Sequence, residues 1–324
     1  MQVNNRRQFL QLGGVGTAAL AAPKNFIGSP NSDRQPNVLF IMCDDLNDTI
    51  AGMGGHPQAR TPNINRLMDQ GVQFTNAHCT APLCISSRAS TWTGLYPHNL
   101  GLYGNDRGWS RNPVFQQSVT LFENFIQNGY DVFGTGKVFH GSNVPIFSSI
   151  GAKGIGIDTN YGPYAYNGKE KCGHSSVRRS YGSWHNEGFA PLSDVPEFGP
   201  RPEAGIPGYR GWVHRDDTPF QYVSESDRDL LPDEESARFA VDCLRSHHDN
   251  PFFLATGFVK PHRPLYAPRK YFDMFPLNTI QLPPYLENDL VDVPSNPNDV
   301  YNSSHSQWVT INNPSSILKW LIPN

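Results

Sequence analysis

Asn37-Val38-Leu39-Phe40-Ile41-Met42-Cys43-Asp44-Asp45 is the stretch that decides the fold. From Val38 to Met42 no polar residue interrupts it, and it then breaks into two adjacent carboxylates. A strand with one wet face alternates polar and apolar residues. A strand of a parallel sheet, covered by helices on both faces, reads as continuous apolar sequence. The stretch therefore predicts a buried parallel strand with an acidic pair at its carboxyl end.

Two further runs repeat this device. Tyr130 to Gly134 reads as a short strand leading into Thr135-Gly136-Lys137-Val138-Phe139-His140, and Phe252 to Phe258 reads as a buried strand leading into Lys260-Pro261-His262. Helical segments lie between them. Thr61 is placed as an N-cap with Pro62 at the first helical position, Ile64, Leu67 and Met68 as the apolar stripe, and Gly71 as the stop. Val72 to Ala77 reads as another strand, and a helix is expected from near Ser86 or Ser87 to Thr93. Thr120 to Gln127 is amphipathic through Leu121, Phe122, Phe125 and Ile126. Pro232-Asp233-Glu234-Glu235 is an acidic first turn suited to the positive end of a helix dipole, and that helix continues through Ala237, Ala240, Val241 and Leu244. Alternating strands and helices predict an α/β fold, a doubly wound, largely parallel sheet. Such sheets bind ligands beyond the carboxyl ends of their strands, where Asp44, Asp45, Lys137, His140 and His262 all fall.

Pro82-Leu83-Cys84-Ile85-Ser86-Ser87-Arg88-Ala89-Ser90-Thr91-Trp92-Thr93-Gly94 adds a candidate nucleophile. A cysteine near a helix N-terminus with an arginine nearby is expected to have a lowered pKa, which opens thiolate catalysis as one reading. The Cys84-to-Arg88 spacing also hints at cysteine-phosphatase chemistry, but those enzymes carry a glycine-containing phosphate loop and no glycine precedes Gly94 in this run. Adjacent carboxylates such as Asp44 and Asp45 suit a hard divalent cation. Lys137 offers charge stabilisation for an anion, and His140 and His262 can divide the roles of acid and base.

The 324 residues carry a net charge of -3, with 38% hydrophobic and 17% charged content, ordinary for a folded protein. That balance predicts no nucleic-acid surface, so an anionic substrate has to be held by a local basic cluster. Five cysteines leave at least one thiol unpaired in an exported protein, and Cys84 is the natural candidate; pairing among Cys43, Cys79, Cys172 and Cys243 stays open. Asn5-Arg6-Arg7-Gln8-Phe9-Leu10 followed by the apolar stretch Leu12 to Ala22 reads as a twin-arginine-type signal over residues 1–32. It predicts export to the periplasm or beyond, and the stretch is too short to serve as a stable membrane anchor. Residues from about 141 to 225 show no clear period and read as a long irregular insertion.

Together these pieces resemble the type I sulfatases of the alkaline-phosphatase superfamily over roughly residues 36 to 290. Gly136 to His140 and Lys260-Pro261-His262 are most similar to the iduronate-2-sulfatase branch and its bacterial relatives. The resemblance implies that Cys84 is oxidised to formylglycine by a formylglycine-generating enzyme, and that its hydrate ligates calcium and attacks sulfur. It implies calcium at Asp44 and Asp45, an orienting role for Arg88, and Lys137 holding both formylglycine and sulfate. It further implies His140 as the base that releases sulfate, and His262 on the sulfate and leaving alcohol. The implied substrate is a sulfated carbohydrate such as a 2-sulfated uronate. A phosphomonoester or phosphonate hydrolase on the same scaffold and an inactive remnant are the competing readings. The chain departs from the family at Ser86, where Pro or Ala is usual. It also lacks the later Ser-Asp-His-Gly-like motif with its metal carboxylate. The expectation is an incomplete, truncated catalytic domain over 33–298, a divergent tail over 299–324, and a calcium site short of ligands.

Overall fold

The computed structural model describes residues 35–105, 108–140, 153–155, 161–166, 189–195, 209–214 and 217–281. The expected signal segment 1–32, the expected tail 299–324 and much of the 141–225 stretch lie outside these residues. In chain order the strands are β1 (Val38–Cys43), β2 (Asp131–Gly136), β3 (Lys153–Ile155), β4 (Tyr164–Ala165), β5 (Phe189–Pro191), β6 (Tyr209–Val213), β7 (Pro219–Ser224), β8 (Asp227–Arg228), β9 (Phe252–Phe258) and β10 (Leu265–Ala267). The helices are α1 (Pro62–Gln70), α2 (Cys84–Thr93), α3 (Pro97–Leu100), α4 (Pro113–Gln117), α5 (Leu121–Gln127), α6 (Pro232–Arg245) and α7 (Arg269–Asp273).

The main sheet runs β1-β9-β2-β3 with every pairing parallel. The composition of β9 shows how it is covered. Phe253 and Ala255 join Ile85, Ala89 and Trp92 of α2 and Phe122 of α5 on one face. Phe252 and Leu254 join Ala240 and Cys243 of α6 on the other. With helices on both faces, Phe252 to Gly257 are all buried, so the strand has no place for alternation. Trp92 anchors the first face: it is 1% exposed, meets the rings of Phe40, Phe122 and Phe139 at tilted angles, and donates its indole N–H to the Val138 carbonyl at 2.9 Å.

Several expectations need correction. β1 is not covered on both faces. It lies at the sheet edge; Val38, Phe40 and Met42 pack inward, while Leu39 and Ile41 are 42% and 50% exposed. Val72 to Ala77 forms no strand. Among the described residues no strand pairs with it, and Val72 and Phe74 stand 82% and 76% exposed. Helix α2 begins at Cys84 rather than at Ser86 or Ser87. In α6 the buried positions are Ser236, Ala240 and Cys243, whereas Val241 and Leu244 face outward. The 141–225 stretch is not wholly irregular. It contributes to an antiparallel sheet β4-β6-β7-β8 and to a parallel pair of β5 with β10, around a second core of Leu192, Trp212, Phe220 and Tyr266. Strands this short do not complete enough periods to register as a pattern. Among the described residues no helix is long and apolar enough to cross a membrane.

Candidate active site

Three strand ends build the site. Parallel register sets Cys43 beside Phe258 and Gly136 beside Gly257, so Asp44, Lys137 and the turn to His262 leave the sheet in one layer. The turn is tied down by backbone: Asp44 N–H donates to the Phe258 carbonyl at 3.0 Å, and Lys137 N–H to that of Gly257 at 2.7 Å. His262 N–H donates to the Asp44 carbonyl at 3.1 Å. Gly136 has φ +69, and a Cβ on either Gly136 or Gly257 would strike the other strand's backbone. Asp233, in the first turn of α6, accepts the N–H groups of Val259 and Lys260 at 2.7 and 2.8 Å and braces the approach to His262.

Asp44 is the hub. Its carboxylate, 3% exposed, accepts from Arg88 Nη1 at 3.2 Å and pairs with the Lys137 ammonium. Burial pushes its carboxyl up, but the charges of Arg88 and Lys137 outweigh that and hold it below the usual carboxylate range. Asp45 is exposed, with φ 58, a left-handed conformation that Asp tolerates. His262 Nε2 lies 3.9 Å from Asp44 Oδ2 and 3.7 Å from Asp45 Oδ2. Its Nδ1 is 2.5 Å from the Arg263 carbonyl oxygen.

Cys84 opens α2, where the helix dipole is positive. The expected lowering of its pKa is not found. Burial pushes the thiol up and outweighs the pull of Lys137 and Arg88. This removes the support for plain thiolate catalysis. Ser86, the departure from the family pattern, is fully buried and donates its hydroxyl to the Gly104 carbonyl at 3.2 Å. Arg88 is 6% exposed and its Nε has no hydrogen-bond partner among the described residues, a donor left over for an incoming anion.

His140 lies beyond β2, its backbone carbonyl accepting from Trp109 Nε1 at 2.8 Å. Burial, with Lys137 and Arg88 adding to it, holds its imidazole down to about 4. It is therefore neutral at pH 7 and able to take a proton. An unfolded chain takes up that proton near 6.5 instead, so the contribution of His140 to stability is complete above about 6.5 and is lost as pH falls toward 4. Urea unfolding of the parent and of His140→Gln between pH 7 and pH 4.5 checks this, and the variant is expected to show the shallower acid slope.

Tyr161 was not singled out in the sequence. Its hydroxyl is 3.2 Å from His140 Nε2, its ring lies 4.3 Å from the Lys137 ammonium, and its centroid is 5.3 Å from that of His262. It sits in a stretch without period, and no motif marks it.

All seven residues predicted from sequence are therefore brought to one end of the main sheet, and among the described residues Asp44, Cys84 and His262 form a group of metal-capable side chains. Calcium takes six to eight oxygen ligands. Asp44 and Asp45 supply two carboxylates, both Asp44 oxygens already meet cations, and among the described residues no third acidic side chain joins them. The donors present do not complete a calcium site. Cys84 fits the position of a formylglycine: it is partly buried, lies at a helix start, and has Lys137, Asp44 and Arg88 as its charged neighbours.

A family model described as Sulfatase matches residues 36–284. A sulfatase of Formosa agariphila is 36% identical over 268 residues, spanning 80% of this chain and 46% of its own length. Human iduronate 2-sulfatase is 28% identical, over 76% of this chain and 39% of its own length. The chain thus spans less than half the length of these relatives. The solved phosphonate monoester hydrolase of Agrobacterium radiobacter aligns at a TM-score of 0.46 and 20% identity, over 78% of this chain and 45% of that one.

Proposed function

Because the chain belongs to the sulfatase family, we propose that the Asp44 cluster hydrolyses sulfate esters on a sulfated carbohydrate, with Cys84 matured to formylglycine. The observation that carries this reading is the convergence of Cys84, Arg88, Lys137, His140 and His262 around one buried carboxylate. The relative named iduronate 2-sulfatase supports a 2-sulfated uronate as the sugar. Maturation by a formylglycine-generating enzyme, and export through a twin-arginine-type signal, complete the proposal.

Formylglycine supplies an aldehyde hydrate as the oxygen nucleophile. Everything else is done by the chain. Lys137 and Arg88 provide fixed positive charge in a site where burial strengthens each interaction with a sulfate group. Their pairing with Asp44 keeps both cations aligned before substrate arrives. His140, neutral at pH 7 and within reach of the Tyr161 hydroxyl, accepts a proton. His262 keeps its Nδ1 hydrogen on the Arg263 carbonyl, so any proton it gives to a leaving alcohol is carried on Nε2. No step is assigned to calcium.

The test is two measurements on protein from a host that matures sulfatases. Peptide mass spectrometry is expected to find the aldehyde-sized mass loss on the Cys84 fragment, and ion chromatography to find sulfate released from a 2-sulfated uronate. Inhibition by sulfate stronger than by phosphate separates this reading from phosphoester hydrolysis. A matured Cys84 with no turnover of any sulfate ester would sink it.

A further inference from the structure

Lys260 opens the Lys260-Pro261-His262 run, and the sulfatase reading gives it no task. Its two ends are held by different parts of the fold. Its backbone N–H donates to Asp233 Oδ2 at 2.8 Å, beside Val259 N–H on Oδ1 at 2.7 Å, which pins it to the first turn of α6. Its ammonium reaches forward along its own loop. There Nζ donates to the His262 carbonyl at 3.4 Å and to the Pro264 carbonyl. Burial lowers the pKa of this ammonium to about 8, against the pull of Asp233, so the two bonds meet little competition from water.

Between those two carbonyls lies that of Arg263, which His262 Nδ1 faces at 2.5 Å. Peptide units are planar, so a carbonyl changes direction only by rotation at the residues on either side of it. Gripping the carbonyls before and after Arg263 leaves the middle one little freedom. That carbonyl only accepts, so the hydrogen of the His262 ring sits on Nδ1. The ring has an alternative. A hydrogen on Nε2 would face Asp45 Oδ2 at 3.7 Å and Asp44 Oδ2 at 3.9 Å. Carboxylates are the stronger acceptors, so a loosened Arg263 carbonyl loses the hydrogen to them.

We propose that Lys260 is a positioning residue for His262. By gripping the His262 and Pro264 carbonyls it fixes the Arg263 carbonyl, which keeps the ring hydrogen on Nδ1 and leaves Nε2 to exchange a proton with substrate. Asp233 anchors the other end of the same device. The kinetic part of this proposal rests on the sulfatase reading, and the tautomer part does not.

The tautomer is read by NMR on the full chain labelled with nitrogen-15 histidine, the His262 signal being the one lost in His262→Ala. Burial, with Lys137 adding to it, lowers the His262 pKa, so the ring is neutral at pH 7. The parent is expected to show the Nδ1–H form. Lys260→Met keeps the apolar stem, removes the donors, and is expected to shift the ring toward Nε2–H. On matured protein the same substitution is expected to lower kcat on the order of 100-fold. KM is expected to stay within about threefold, because Arg88 and Lys137 are untouched. In a His262→Ala background Lys260→Met is expected to cost less than about twofold further, since the ring it acts through is gone. An equal loss in both backgrounds would mean a general structural role and overturns the proposal. So does a folded Lys260→Met protein with the parent's tautomer, or a parent that carries its hydrogen on Nε2. That last measurement needs no variant, and it decides the matter even where Lys260→Met does not fold. The tautomer is read without turnover, so absence of sulfate release sinks the sulfatase reading alone.

Discussion

Replacing Cys84 with alanine is expected to lower sulfate-ester turnover by the matured protein on the order of 10⁴-fold or more, while binding of the sulfated ligand persists. Loss of a nucleophile is among the largest single-residue effects in catalysis, because the remaining groups cannot act without it. The structure separates the two quantities. The inward packing of α2 rests on Ile85, Ala89 and Trp92 rather than on Cys84, so the fold loses little. Arg88 and Lys137 keep their pairing with Asp44, so the positive charge that attracts sulfate stays in place. The measurement is kcat by sulfate release alongside the Kd of a non-hydrolysable sulfonate analogue. A variant retaining more than a tenth of the parent's kcat would show that Cys84 is not the nucleophile.

Asp44→Ala is expected to cost the folded protein about 3–5 kcal/mol, the range found when one partner of a buried ion pair is removed. Arg88 and Lys137 are 6% and 1% exposed, and Asp44 is the carboxylate paired with both. Without it, two positive charges face each other away from water. Urea unfolding at pH 7 reads the loss; a change below 1 kcal/mol would mean that water or neighbouring groups already compensate the cations. The same carboxylate sets a pH dependence. It is held below its ordinary value of 3.8, so an unfolded chain protonates there first. Its stabilising contribution is therefore present above about 3.8 and is lost as pH falls through the lower folded value. Asp44→Ala is expected to flatten that part of the acid limb.

The site was more legible than the scaffold around it. Asp44, Lys137 and His262 each follow an apolar run, and a strand end in a parallel sheet is a geometric prediction as well as a local one. Their meeting point therefore followed from recognising three strands. The outer strand was misjudged because an apolar run shows what a residue prefers, not what covers it. Leu39 and Ile41 are as apolar as Phe253 and Leu254, yet β9 lies between β1 and β2, whereas among the described residues β1 pairs with β9 alone. Val72 to Ala77 failed for the same reason: strand-like composition without a partner does not make a strand. Tyr161 and the strands from Tyr164 to Ser224 were missed because segments of two to six residues complete too few periods. The thiol of Cys84 went wrong by burial: a neighbouring arginine can be read from the sequence, but the desolvation that outweighs the pull of Lys137 and Arg88 cannot.

Gly136 and Gly257 meet as bare backbone where β2 and β9 end, with Lys137 next in the chain after one and His262 a short turn beyond the other. The spacing of Lys137 and His262 is thus written in two hydrogen atoms. A library screened only for turnover would score both positions as intolerant although neither presents a side chain to a substrate, and alanine would be no milder than a bulky residue. The scaffold is in that sense built for divergence: its tolerance is set at the rim, and its rigidity is inherited from positions where evolution has nothing smaller to offer.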